Sequence, residues 1–350
     1  MEVSTDRPAL KNGRILQRHE ADDADLHASN LTGWQQEYDQ LSRGRFFGSI
    51  VELSFDKLQV FREDTNRALQ QKCKVWANSI WLGIPLAQQA ECRINGQAVG
   101  ADRVMCRAGN SDFDLSTPQD YSLYGLVIDY NTLLETARLQ GLTLNWKELH
   151  ESGRLQLPNK TLENARFVLA RLLDEHEPQT NHHAAYDLLL MLLLELLKVA
   201  TPEHAKIPSY PHRKQVVDEV RSYISAHPDT LLTITDLCKI ANVSRRALQY
   251  SFASILGISP LRYLRVSRLN GVRRTLMQIP QYNTVADIAS QWGFWHMSQF
   301  AKDYRELFDE LPSQTLKRQQ VMQNNTSSNS TEEWHSTHPR PMLSLSYGYV

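Results

Sequence analysis

The sequence predicts an α+β chain of two folded units: an N-terminal β-barrel or jelly-roll-like unit with helices, then an all-α domain with two helix-turn-helix motifs joined by a linker helix. Three observations carry this. Short runs alternate apolar and polar residues between about Gly44 and Asp129. After Asp129 the period changes to that of helices. Near the end of the chain, one arrangement of apolar, small and proline positions occurs twice, about fifty residues apart. A length of 350 residues exceeds one ordinary domain and suits two or three.

Residues 1–30 are polar and without period and are expected to be disordered, as is the tail over 319–350 with its run Asn324 to Thr331. The first folded unit is expected over 31–200. Its strand-like runs are Val51 to Asp56, Leu58 to Arg62, Ile80 to Ile84, Arg103 to Cys106 and Ser122 to Ile128. In the first of these, Val51, Leu53 and Phe55 share one face. Helices are expected at about Thr132 to Gln140, Thr161 to His176 and His183 to Val199. The last is apolar on most of its faces, so it packs either on the barrel or on a second subunit. Residues 201–212, with Pro202, Pro208 and Pro211, read as a linker, because proline fixes φ and denies a helix its donor.

The second unit is expected over 213–318. One copy of its repeat begins at Thr233 and the other at Thr284, each as Thr-x-x-Asp, with Asp236 and Asp287 as the acids. The threonine oxygen accepts from an early backbone N–H, and the acid complements the positive helix start. The offset between copies grows from 51 to 52 residues across the turn, so one residue has been added where turns tolerate insertion. Leu248, Phe252 and Leu256 in one copy and Phe300, Tyr304 and Phe308 in the other are spaced for packing. Ser244 is placed to cap the second helix of the first copy. Outward positions are then Arg245, Arg246, Gln249 and Tyr250 in the first copy and His296, Met297, Ser298 and Lys302 in the second. Helices of this arrangement enter the major groove of double-stranded DNA, where an Arg on guanine or a Gln on adenine contributes roughly 1–3 kcal/mol of discrimination. Arg245 or Arg246 could equally hold phosphate, and Tyr250 could pack on a neighbouring helix. From Ser259-Pro260 a linker helix is expected to run to Leu276, with Arg262, Arg265, Arg268, Arg273 and Arg274 as a basic face. Gly271 in its middle costs about 1 kcal/mol relative to alanine and has no explanation in the sequence.

Charge follows the same division. The formal net charge is −1, yet residues 213–318 carry 15 Lys and Arg against 9 Asp and Glu. Cys73, Cys92, Cys106 and Cys238 lie far apart with no C-x-x-C pair, which favours reduced, mostly buried thiols. No histidine occurs between His27 and His150, which argues against a metal-dependent barrel enzyme. The greasiest stretch, Leu188 to Leu197, is too short to cross a bilayer and is broken by Glu195. The first residues lack the apolar core of a signal peptide, so a cytoplasmic protein without membrane contact is expected.

These residues resemble the AraC/XylS family of bacterial transcription regulators. The likeness covers about Lys214 to Lys317, through both caps, both apolar frames, Gly257-Ile258-Ser259-Pro260, and the series Gly293-Phe294, Ser298, Phe300, Phe308 and Pro312. Tyr304, Asp309 and Leu316 depart from the usual Phe, Gly and Tyr. The resemblance implies a sequence-specific activator acting on bacterial RNA polymerase, not an enzyme. It also implies an N-terminal jelly roll that senses an effector and helices that form a homodimer. Segments such as Leu31 to Leu41, Trp76 to Pro85 and Gln291 to His296 are most similar to the branch of the family that controls ethanolamine-utilisation operons. That implies ethanolamine and adenosylcobalamin as effectors, with no intrinsic cofactor. An alkanolammonium favours an aromatic face or an acid, which makes Trp76, Trp81, Tyr124 and Glu52 the candidate effector residues. A different effector or none, and an enzyme fused to a DNA-binding unit, are the alternatives; the latter needs a cysteine activated by a nearby base.

Overall fold

The computed structural model describes residues 16–143, 153–175, 181–203, 210–278 and 284–318. The chain opens with β1 (Leu16–Ala21), α1 (Ala24–Ser29) and β2 (Gln35–Gln40). Then come β3 (Gly48–Ser54), β4 (Leu58–Thr65), β5 (Leu69–Lys74) and β6 (Ser79–Pro85). These are followed by β7 (Cys92–Ile94), β8 (Gln97–Val99), β9 (Arg103–Ala108), β10 (Asp112–Thr117) and β11 (Tyr121–Asp129). After β11 come α2 (Tyr130–Leu139), β12 (Arg154–Gln156), α3 (Asn159–Leu172), α4 (His182–Val199) and β13 (Thr201–Pro202).

The strands form two sheets. One has eight strands in the order β1-β3-β4-β11-β6-β9-β12-β13, and the other five in the order β2-β5-β10-β7-β8. Among the described strands no pairing joins the sheets, so the expected barrel is corrected to an open two-sheet sandwich. Alternation shows which face a side chain takes but not whether edge strands meet, which is why closure was not readable from the sequence. Both faces of the large sheet are covered. Leu53, Ile80, Leu82, Leu126 and Ile128 point to a core shared with Leu133, Leu162, Leu169, Leu189 and Leu193 of the helices. Ile50, Phe61, Trp81, Leu123 and Val127 point the other way, to a core shared with Tyr38, Leu69, Phe113 and Leu115 of the small sheet. The order is thus helices, large sheet, small sheet.

Three boundaries move. Residues 16–30, expected to be disordered, supply β1 paired to β3 and the helix α1, capped by Asp23. The proline-rich linker is structured at both ends: Thr201 and Pro202 pair with Gln156 and Leu155, and a helix has begun by Tyr210. The tail over 319–350 lies outside the described residues.

The second unit contains α5 (Tyr210–Ala226), α6 (Ile234–Ile240), α7 (Arg245–Leu256), α8 (Pro260–Gln278), α9 (Val285–Gln291) and α10 (Met297–Phe308). It has two small cores. Val217, Val220, Leu237, Leu248, Phe252, Tyr263 and Leu264 make one, and Leu269, Val272, Leu276, Ile288, Phe300, Tyr304 and Phe308 the other. The helix α8 serves both, with its first turns in one and its last in the other. Its 19 residues span about 28 Å. Gly271 lies where it meets Trp292: a Cβ there would fall 2.2 Å from the indole. The glycine is the cost of bringing that ring onto the helix backbone.

The arginines of α8 are not a free basic face, which corrects the sequence expectation. Arg273 is buried, paired with Asp23 of the N-terminal unit and, at 2.6 Å, with Glu310. Arg274 pairs with Asp39 at 2.9 Å, Arg265 with Asp303, and Arg268 donates to the Thr230 carbonyl. Arg262 donates to the Leu41 carbonyl at 3.2 Å. Arg221 of α5 meets Asp114 of β10 at 2.6 Å. Burial works against the charge on Arg273, but Tyr304, Asp23 and Glu310 more than offset it and hold the guanidinium charged. Such pairs add little net stability compared with apolar packing, yet they fix one docking geometry because a mismatched arrangement leaves a buried charge alone.

Candidate nucleic-acid interface

The two repeats fold as the same device. Both first helices, α6 and α9, have seven residues, and both second helices, α7 and α10, have twelve. Thr233 and Thr284 each form a full capping box with Asp236 and Asp287. The hydrogen bonds from these threonines hold both carboxyls below the usual carboxylate range. The turns pass through left-handed residues at equivalent places, Asn242 at φ 48° and Gly293 at φ 75°. The next cap falls at Ser244 in the first copy and at His296 in the second, so the added residue lies between the left-handed position and the second helix. Asp309, where a glycine is usual, takes the left-handed cap conformation itself, at φ 57°, beside Gly257 at φ 73° in the first copy. The hydroxyl of Tyr304, where phenylalanine is usual, shares a hydrogen bond with Thr315 at 2.8 Å and is approached by Arg273.

On α7, Leu248, Phe252, Ile255 and Leu256 are buried while Arg245, Arg246, Gln249 and Tyr250 are exposed. Ser244 uses its hydroxyl to cap Ala247 N–H at 3.2 Å. The Arg213 guanidinium lies over the Tyr250 ring at 5.2 Å from its centre, which orients that ring. On α10, His296, Ser298 and Lys302 are exposed, and Phe300, Tyr304, Leu307 and Phe308 are buried. Met297 is half-buried against the second core rather than fully outward. Sequence reasoning missed Trp295, which is 61% exposed just before α10. Its signal was present: an aromatic outside the i, i+4, i+8 packing frame has no core to enter. A large exposed ring beside the outward start of α10 suits stacking on sugar or base.

The effector candidates are only partly brought together. Glu52 is 1% exposed, and its partners are neutral groups: Gln59 at 2.8 Å, the Ser54 hydroxyl and Thr32 N–H at 3.3 Å. Trp34 donates to Gln59 at 3.0 Å and stands edge-on to Trp81, which stacks on Phe113 at 4.9 Å. Trp76 packs on the same core. Tyr124 faces the opposite core, under the helices, because it is an odd number of residues from Leu123 and Val127 along β11. Trp34, which sequence reasoning did not select, is therefore closer to this site than Tyr124.

The three buried cysteines, Cys73, Cys92 and Cys106, are not activated. Burial pushes the thiols of Cys92 and Cys106 up to about 12, and that of Cys73 well above its ordinary value. Among the described residues no group of His, Cys, Asp and Glu is arranged for a metal, and no helix is long and apolar enough to cross a membrane.

Two helix-turn-helix motifs on one bridging helix define a DNA-binding class of protein. A family model described as "Helix-turn-helix domain" matches residues 237–318. The "Probable thc operon regulatory protein" of Rhodococcus erythropolis is 30% identical over 153 residues, which is 43% of this chain and 46% of that protein. The "XylDLEGF operon transcriptional activator 2" of Pseudomonas putida is 31% identical over 126 residues, covering 35% of this chain and 77% of that protein. A solved structure described as a "probable AraC family transcriptional regulator" from Rhodopseudomonas palustris is 34% identical, covering 30% of this chain and 96% of its own, with a TM-score of 0.27. The chain belongs to the AraC/XylS family of helix-turn-helix regulators. It spans about half or less of the length of the first curated relatives it matches. Two of those relatives are named for the thc and xyl operons and none for ethanolamine utilisation, so the expected likeness to ethanolamine-operon regulators is not reproduced among them.

Proposed function

We propose that this protein is a cytoplasmic, ligand-responsive activator that reads a specific site on double-stranded DNA through α7 and α10 and acts on bacterial RNA polymerase. One observation carries the reading: two equal motifs, each with its second helix bearing exposed hydrogen-bonding residues, are fixed on the two ends of a single buried helix. A rod of about 28 Å and its end packing suit two major-groove segments one helical turn, about 34 Å, apart. The names of the xyl relatives support activation. A regulator rather than an enzyme is supported by the relatives, which are named as operon regulators and activators, and the raised thiols of Cys73, Cys92 and Cys106 speak against a fused enzyme that uses one of them as its nucleophile.

Selection of bound sequences from random DNA tests this directly. A site with two half-sites about one turn apart is expected, with Arg246→Ala relaxing one half and Lys302→Ala weakening the other. Loss of neither contact on substitution would remove α7 and α10 as the readers.

For the effector, the proposal is a small alkylammonium such as ethanolamine between the sheets, where among the described residues the hydrogen-bond partners of the Glu52 carboxyl are neutral and Trp34, bonded to the same Gln59, shares a core with Trp76 and Trp81. The ethanolamine and adenosylcobalamin assignment rests on sequence segments alone. The cleft between the units, about 650 Å³ and lined by Gln36, Lys74, Phe113, Lys214 and Arg221, is open to a larger second ligand. A ligand at a hundredfold excess over its dissociation constant stabilises by about 2.7 kcal/mol. A melting curve unmoved by ethanolamine, by adenosylcobalamin and by both together would leave an effector-independent factor. Leu188 and Met191 of α4 are 42% and 41% exposed and are the proposed homodimer contacts.

A further inference from the structure

We infer that Arg43, on the loop leaving β2, contacts the DNA backbone alongside α10, so that the N-terminal unit contributes directly to the DNA-binding surface. The inference rests on the DNA-binding reading above and adds a residue from outside the helical unit.

The loop is built into the second helix-turn-helix motif. Leu41 is buried in its core. The backbone N–H and carbonyl of Gln40 both bond the Asn270 side chain, at 3.0 and 3.1 Å. The Ser42, Gly44 and Leu307 carbonyls surround the Gln40 Nε2 amide at 2.8, 2.6 and 2.7 Å and share its two hydrogens, and Gly44 N–H donates to the Leu307 carbonyl at 3.0 Å. These bonds fix the loop against the last turn of α10, satisfying a helix-end carbonyl that otherwise needs water. Arg43 therefore holds a set position relative to the reading helix rather than moving with a separate unit.

Its side chain is 72% exposed and touches Glu306 at 2.6 Å, itself 41% exposed. An ion pair that open is weak and exchanges readily for another anion. Arg43 and Gly44 form one wall of a groove of about 770 Å³ whose other wall is Ala301, Lys302, Arg305 and Glu306. Ser298, Lys302 and Arg305 recur at i, i+4 and i+7, on one outward face of α10. A helix lying in the major groove has a phosphate ridge on each side, and a residue fixed beside its outward face meets that ridge. Glu306 and Asp309 also line the groove and repel phosphate. Arg43 offsets the first of them, and its planar guanidinium suits a phosphate better than an ammonium does.

The test uses the full-length chain and its selected DNA fragment, with affinity measured across a range of salt. One lost phosphate contact lowers the slope of log K against log salt by about 0.9. Arg43→Ala is expected to show that drop equally on selected and on random duplex, while Arg43→Lys retains the wild-type slope. Arg138→Ala, an exposed arginine on α2 in the helical layer, is expected to leave the slope unchanged. A wild-type slope for Arg43→Ala together with weakened binding by Lys302→Ala would overturn the inference and leave the DNA reading intact. Tighter binding by Arg43→Ala would overturn it in favour of a loop that obstructs DNA. Failure of the wild-type chain to select any sequence would overturn both.

Discussion

Gly271→Ala is a substitution that helix propensity and tertiary packing judge oppositely. In an isolated helix the change gains about 1 kcal/mol. Here the new methyl would sit 2.2, 2.3 and 2.5 Å from three indole carbons of Trp292. Ordinary contact begins near 3.4 Å, so the ring must retreat by about 1 Å, and overpacking of that kind costs roughly 1–3 kcal/mol. Retreat also strains the hydrogen bond from Trp292 Nε1 to Thr275 at 3.0 Å, a bond worth about 1 kcal/mol. The sum favours destabilisation by about 1–2 kcal/mol, or a fall in Tm of several degrees for a unit of this size. Thermal unfolding followed by tryptophan fluorescence and by circular dichroism measures it. A double-mutant cycle with Trp292→Leu should recover part of the loss, because the shorter side chain leaves room for the methyl. A higher Tm for Gly271→Ala alone would refute the reasoning and show that α8 does not need the close approach.

Three further outcomes are expected. Arg273→Ala leaves Asp23 and Glu310 without their buried cation and should cost about 3–5 kcal/mol in urea unfolding; a change within error would mean that the pair is solvated in solution. Thr233→Ala removes one capping box and should cost about 1 kcal/mol, with Thr233→Ser restoring most of it in the same melt. Burial, offset only in part by Arg274 and reinforced by Asp23 and Glu37, pushes the Asp25 carboxyl up to about 6. Between about 4 and 6 the folded chain then holds a proton that the unfolded chain has released, so this group's contribution to stability falls as pH rises through that window. Asp25→Asn should flatten that part of the stability profile, and an unchanged profile would refute the assignment.

Short-range physics was legible. The threonine caps, the apolar spacing of α7 and α10, the single added residue at the second turn and the start of α8 at Pro260 all depend on residues within one or two helical turns of each other. The strands named from the sequence occur as β3, β4, β6, β9 and β11. Strands such as Gln35–Gln40 and Leu69–Lys74 carry too many polar residues to show period two, since their polar groups are buried by neighbours that the sequence does not place. For the site, the exposed residues of α7 followed from periodicity. Trp34 beside Glu52 did not, because 18 residues and a strand pairing separate them.

By itself the sequence determined that there are two helix-turn-helix motifs, which faces of them pack, and that strands precede helices, because those are set by local period and capping chemistry. Tertiary structure alone decided that the sheets stay open and that the α8 arginines are spent on contacts between the units rather than on a free basic face. It also decided that Gly271 exists for Trp292 and that Arg43 stands beside α10. Arg273 finds Asp23 at a separation of 250 residues, and no local pattern encodes a partner that only the finished packing brings near.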